Sequence, residues 1–265
     1  MFRPKKSLGQ NFLIDKNIVK KILSIVDLKK KNIIEIGPGT GNLTNEILKL
    51  DINSIIAIEK DKKLSEELKK NNILNNKLKI YNEDILKFHL EDKVEENTVI
   101  IGNLPYNISS QILVKLIKFK IWPPKYKKLI LMFQKEVAEK IIANYKSAAF
   151  GRLAIVTNWR LKVTDHFNIS KNCFFPKPKV DSTILVFEPK KIDKIKINKI
   201  ENLEHITQTF FSNKRKMINK VLKKNFKNSE EILKKLKLDT TKRPSDLTCE
   251  TYYKLTELYE QNKTS

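Results

Sequence analysis

The sequence predicts a doubly wound α/β domain followed by a small helical one, on three observations. Short apolar runs at 33–36, 54–58, 78–81 and 98–101 alternate with polar-apolar stretches of helical length. That alternation is the pattern of a parallel sheet with helices on both faces. Gly37, Glu59, Asp84 and Asn103 close these runs at regular intervals, so they fall at the carboxyl ends of the strands, where such sheets bind their ligands. Beyond Pro189 the apolar spacing turns helical and strand-like runs cease. The expected domains are therefore 1–190, α/β, and 191–265, helical.

Taken in order, Asp15 to Val26 has helical spacing with Asp15 as its cap. The four strands follow, then a fifth over Leu129–Phe133 and a helix over 135–145. Strands are expected at 162–167 and 182–187, separated by the proline-rich stretch Phe174-Phe175-Pro176-Lys177-Pro178. Helical periodicity covers 201–226, 229–238 and 248–261.

Composition bounds the function. The 265 residues carry 53 basic and 30 acidic groups, net +23, and +19 of that excess lies beyond residue 100. Lysine in place of arginine fits a compositional bias, but the scarcity of acids after residue 100 does not, so a polyanionic partner, nucleic acid, is expected. The longest apolar run, Leu129–Phe133, falls far short of the roughly 20 residues of a membrane span. Two scattered cysteines and three scattered histidines form no disulfide framework and no metal motif. The expectation is a soluble cytoplasmic protein without a metal.

The loop Glu35-Ile36-Gly37-Pro38-Gly39-Thr40-Gly41 follows the first strand and opens a helix. A dinucleotide fingerprint would need glycine at 42, where Asn42 stands. Glycine spaced as here, after an acidic residue, is the pattern for S-adenosylmethionine. Glu59 can accept both ribose hydroxyl protons, and Asp84 can either accept from the adenine amine or cap the turn that follows it. Asn103-Leu104-Pro105-Tyr106 suits transfer to a planar exocyclic amine. The Asn103 side-chain oxygen and the Leu104 carbonyl would hold the two N–H bonds, Pro105 would stiffen the turn, and Tyr106 would stack on the base. By itself, Phe174 ahead of a proline turn reads as a core residue.

With these pieces the chain resembles the rRNA adenine N6-dimethyltransferases, most closely their bacterial small-subunit branch. The resemblance rests on Ser7-Leu8-Gly9-Gln10-Asn11-Phe12-Leu13, the 35–41 loop, Asn103 to Ser109, Gln134-Lys135-Glu136-Val137, Phe174-x-Pro176-x-Pro178-Lys179-Val180-Asp181-Ser182 and Arg243-Pro244-Ser245-Asp246-Leu247. It covers nearly the whole chain. Ser110 and Gln111 depart from the family's usual threonine and proline and bear on the start of the next helix. The resemblance implies a Rossmann-like methyltransferase domain with an all-helical C-terminal domain. It implies that Asn11 and Leu13 cover the cofactor, that Gly37, Glu59, Asp84 and Asn103 complete its site, and that Tyr106 and Phe174 sandwich the target adenine. It also places Asn213-Lys214-Arg215-Lys216, read as part of a helix backed by Phe210, Phe211, Met217, Ile218, Val221 and Leu222, against rRNA.

The function so implied is dimethylation of N6 on two adjacent adenosines, in a hairpin loop near the 3′ end of 16S rRNA, by a monomer acting on the assembling 30S subunit. Three rivals stand beside it. A large-subunit rRNA methyltransferase of the antibiotic-resistance type would share fold and tetrapeptide, but the Asn-Leu-Pro-Tyr form and the Pro-Ser-Asp-Leu tail favour the small subunit. A non-enzymatic RNA-binding relative is disfavoured by the intact site, and a nicotinamide dehydrogenase by the glycine spacing.

Overall fold

A computed structural model describes residues 4–5, 8–191 and 195–264. Ser7, the first residue of the N-terminal motif, lies outside them. The elements run β1 (Phe12–Leu13), α1 (Lys16–Leu23), β2 (Asn32–Ile36), α2 (Asn42–Ile47), β3 (Ser54–Ile58), α3 (Lys62–Asn71), β4 (Leu78–Tyr81), β5 (Thr98–Asn103), α4 (Ser109–Ile117), β6 (Tyr126–Gln134), α5 (Lys135–Ile142), α6 (Arg152–Arg160), β7 (Leu161–Ile169), β8 (Phe174–Phe175), β9 (Ser182–Pro189), α7 (Ile200–Phe211), α8 (Asn219–Asn225), α9 (Ser229–Leu236) and α10 (Cys249–Thr264).

Seven strands form one sheet in the order β4-β3-β2-β5-β6-β9-β7. β2 pairs parallel with β3 on one side and β5 on the other, and β3–β4 and β5–β6 are parallel too. β9 runs antiparallel to β6, Leu129 opposite Phe187. Strands buried on both faces are apolar at nearly every position, and Ile33, Ile34, Ile36, Val99, Ile100 and Ile101 are each at most 1% exposed, Glu35 of β2 being the buried exception. The chain order reverses between β2 and β5, so their carboxyl ends flank the crevice this architecture uses for ligands. The capping expected of Asp15 is present, its carboxylate accepting from the amides of Asn17 and Ile18. α4 starts at Ser109 with no side-chain cap, so Ser110 and Gln111 leave the helix in place.

The chain divides into two compact units, 1–138 with 162–189, and 139–161 with 190–265. One crossing falls between 189 and 190. The segment 139–161, with α6, joins the helical unit although it precedes that boundary in sequence. Within the helical unit Leu203, Ile206, Phe210, Tyr252 and Leu255 are buried, and Phe210 meets the Tyr252 ring edge-on at 5.6 Å. Tyr253 donates its hydroxyl to the Ile155 carbonyl of α6 at 3.1 Å, which ties the insert to α10.

One expectation needs correction here. Residues 201–226 are not one helix, because 212–218 break between α7 and α8, so Asn213–Lys216 lie in a turn. Ser and Asn compete for backbone partners at such a position, and Ser212 Oγ takes the Thr209 carbonyl at 2.8 Å. Met217, expected on the apolar side, is 54% exposed, whereas Ile218 and Leu222 are fully buried.

Candidate active site

The carboxyl ends of β2, β3 and β5 and the N-terminal segment enclose a cleft of about 1050 Å³, open solvent included. Its walls include Asn11, Leu13, Gly37, Gly39, Glu59, Asn103, Leu104, Pro105 and Tyr106. Five of the six expected cofactor residues therefore meet in one place. Asp84 is outside these walls. It forms an ion pair with Lys60, Nζ to Oδ2 at 2.9 Å, and its other oxygen accepts from the Leu86 amide at 2.9 Å. The hydrogen bond from Lys60 holds its carboxyl below the usual range. Lys60 itself lines the cleft, so the nearest approach of Asp84 to these walls is through its ion-pair partner.

The glycine loop is shaped for close approach. Gly37 and Gly39 have φ of +71° and +58°, where side chains are strained. A Cβ on Gly39 would stand 2.7 Å from the Phe12 ring, so β1 lies directly over the loop. Glu59, 8% exposed, binds this loop through Oε2, which accepts from the Gly39 amide at 3.1 Å. Its Oε1 accepts from the Asp61 amide at 2.8 Å. Burial raises its pKa, and the two amides oppose that rise. Each oxygen retains a second lone pair for a hydroxyl donor. Glu35, buried beneath the loop, accepts from the Thr44 hydroxyl at 2.6 Å.

The N-terminal segment is fastened from two sides. Gln10 donates to Asp61 Oδ2 at 3.1 Å and Lys5 pairs with the same oxygen at 2.9 Å. Asn103 donates its side-chain amide to the Asn11 carbonyl at 3.0 Å. This bond fixes which way the Asn103 amide faces, because its nitrogen is committed. Among the described residues, neither Asn103 Oδ1 nor the Leu104 carbonyl has a hydrogen-bond partner, and both residues line the cleft. Tyr106 is partly exposed, and its hydroxyl shares a 2.6 Å hydrogen bond with Ser182 Oγ. Burial raises the Tyr106 pKa, and the phenol stays neutral at physiological pH. Phe174 is 3% exposed and belongs to the core cluster with Leu13, Ile22, Met132 and Ile184. The structure thus places it behind the wall, as its position ahead of a proline turn suggested, and its ring presents no open face.

Sequence reasoning missed Asp61, Gln10 and Ser182 as parts of this site. Gln10 and Ser182 do stand within the resemblance motifs, which was the available signal.

Residues 1–261 match the family model for ribosomal RNA adenine dimethylase. The chain belongs to that family. It is thus an rRNA adenine dimethyltransferase, and its cofactor is S-adenosylmethionine. It is 42% identical to the ribosomal RNA small subunit methyltransferase A of Pelagibacter ubique (strain HTCC1062), over 97% of both chains. The protein of that name from Mycoplasmopsis synoviae (strain 53) is 38% identical over 92% of both. Among solved structures, a dimethyladenosine transferase from Plasmodium falciparum superposes with a TM-score of 0.79 at 30% identity, covering 95% of this chain and 98% of that one. The 23S rRNA methyltransferase ErmE shares the fold, with a TM-score of 0.66 at 22% identity over 94% of this chain and all of that one. The cleft fits such a cofactor: the glycine loop leaves no Cβ in the way, and the Glu59 carboxylate in the cleft wall keeps lone pairs for hydroxyl donors.

Proposed function

We propose that this chain dimethylates N6 of two adjacent adenosines in a hairpin loop near the 3′ end of 16S rRNA, in the assembling 30S subunit. The observation that carries the reading is a cleft shaped by a glycine loop and lined by the successive residues Asn103 and Leu104, with the Asn103 amide nitrogen committed to the Asn11 carbonyl. An adenine amine is a weak nucleophile because its lone pair is delocalised into the ring. Two acceptors that hold its two N–H bonds turn the nitrogen toward the methyl donor and favour a pyramidal geometry. When bound, S-adenosylmethionine supplies a methyl already activated by its sulfonium, so orientation carries most of the rate and no strong base is required.

Glu59 holds the ribose end in this reading, while Asn11 and Leu13 lie over the cofactor and Asp84 accepts from the adenine amine with lone pairs that Lys60 and the Leu86 amide leave free. Tyr106 stacks on the target base, its ring angle set by Ser182. Phe174 is the second platform that the resemblance implies. Since its ring is covered, the reading requires Leu13 or the β1 segment to shift as the base enters. The small subunit is favoured over the large one by the names of the relatives at 38–42% identity, ErmE being similar in fold alone. In this reading the protein acts in the cytoplasm, as a monomer.

The test offers undermethylated small subunits, large subunits and naked rRNA side by side with labelled cofactor. Dimethyladenosine is expected in the small subunit. Label chiefly in large-subunit rRNA would move the chain to the resistance type, and no label in any of the three would favour a non-enzymatic RNA-binding role.

A further inference from the structure

β1 and β8 form a two-stranded antiparallel ribbon, Phe12 opposite Phe175 and Leu13 opposite Phe174. Partners across an antiparallel pair share a face, and successive residues alternate. Leu13 and Phe174 take the core face, 6% and 3% exposed. Phe12 takes the other face, over Gly39, and lines the cleft. Leu13 lines the cleft as well, so what the pairing fixes is that Phe175 shares the face of Phe12, and it is 59% exposed. Among the described residues its ring meets no other ring and no cation.

The surroundings decide what such a ring can bind. Lys177 and Lys179 are exposed in the same turn, and Lys171 is half-buried. The nearby acids are committed, Asp181 to the Lys171 amide at 2.9 Å and Asp15 to the cap of α1. An exposed aromatic ring in a lysine-bearing turn, on the ribbon whose Phe12 lines the cleft, is the composition of a single-stranded nucleic-acid platform. Pro176 restricts the turn and limits the entropy lost on docking.

We propose that Phe175 is the stacking platform for the unpaired rRNA base next to the adenine held in the cleft. The inference rests on the dimethylation reading above and extends it. If two adjacent adenosines are to be modified in turn, one occupies the cleft while its neighbour is also out of its stack. Phe175, across the ribbon from Phe12, offers that neighbour a face, distinct from the Tyr106 position.

The test compares Phe175→Ala, Phe175→Leu and Phe175→Tyr in methylation of undermethylated small subunits. Each base–aromatic stack contributes about 1–3 kcal/mol by alanine substitution, so Phe175→Ala should raise KM about tenfold with kcat within a few-fold of the parent. Phe175→Leu should resemble Phe175→Ala, because it keeps apolar bulk and loses the face, whereas Phe175→Tyr should restore KM. Because Phe175 is exposed, Tm and cofactor affinity should stay at parent values in all three. Unchanged KM in Phe175→Ala, or full function in Phe175→Leu, would overturn the proposal, the latter indicating plain apolar contact with a ribosomal protein. A parent enzyme that places no methyl on small-subunit adenines would instead overturn the underlying reading.

Discussion

Glu35 is 1% exposed, and Thr44 is the one side chain that hydrogen-bonds its carboxylate among the described residues. Burial is the main reason its pKa rises to about 7, with Thr44 opposing and the charge on Glu59 adding to it. A folded pKa above the unfolded value means the protonated acid is the form that suits the fold. Its contribution is complete below pH 4.5 and is lost as pH rises from there to about 7. Glu35→Gln mimics the protonated acid. Relative to that variant, the parent should lose up to a few kcal/mol of stability across this window, by about 1.36 kcal/mol per pKa unit. Melting curves at stepped pH check this, and parallel curves for the two proteins would contradict it. Two neighbours separate binding from chemistry. Glu59→Ala should weaken S-adenosylmethionine more than tenfold in calorimetry, since hydrogen bonds to a charged group contribute roughly 1.5–3 kcal/mol. Asn103→Ala should abolish methyl transfer in single-turnover assays while rRNA binding persists, because the acceptor at N6 is gone.

At the scale of elements, the strands were legible because a strand covered on both faces is apolar at nearly every position, as Val99–Ile101 is and as Ile33, Ile34 and Ile36 are around Glu35. The same logic hid α6: Ala154, Ile155, Val156, Thr157 and Trp159 are all buried, which leaves no polar stripe to mark a helix. β1 and β8, two residues each and 163 positions apart in the Phe12–Phe175 pair, carry no periodicity at all, and only the folded chain pairs them. The strand-end residues of the site were legible because topology places them, whereas Asp61 and Ser182 act through partners 51 and 76 residues away. Their roles are testable at this scale. Gln10 and Lys5 converge on Asp61, whose side chain is fully buried, and so hold the segment that carries Asn11 over the cleft. Gln10→Ala should speed hydrogen exchange in 8–13 and weaken the cofactor several-fold, leaving exchange in β2 and β5 unchanged. Equal protection of 8–13 in both proteins would show that this fastening is not what orders the segment.

At the scale of the whole molecule, the basic excess separates lysines that meet RNA from those that serve the fold. Neutralising phosphates releases counterions, so affinity for rRNA should fall linearly on a log–log plot against salt, by about 0.7–0.9 per phosphate contacted. Net charge cannot say which residues supply those contacts, but their surroundings in the turn at 212–218 can. Lys214 gives its amine to the carbonyls of Ala148 and Phe150, at 2.6 and 3.0 Å, within the helical unit. Arg215, one position on, is exposed, and it lines a cleft with Lys216, Lys220 and Lys224. Adjacent residues of equal charge thus have opposite expected phenotypes. Arg215→Gln should reduce the salt slope by about 1 and leave Tm unchanged. Lys214→Gln should lower Tm, because two carbonyls lose their donor, and should leave the slope where it was. Titrations of both variants between low and physiological salt, with melting curves alongside, decide the matter. A reduced slope in Lys214→Gln would mean that its amine leaves those carbonyls for a phosphate when RNA binds.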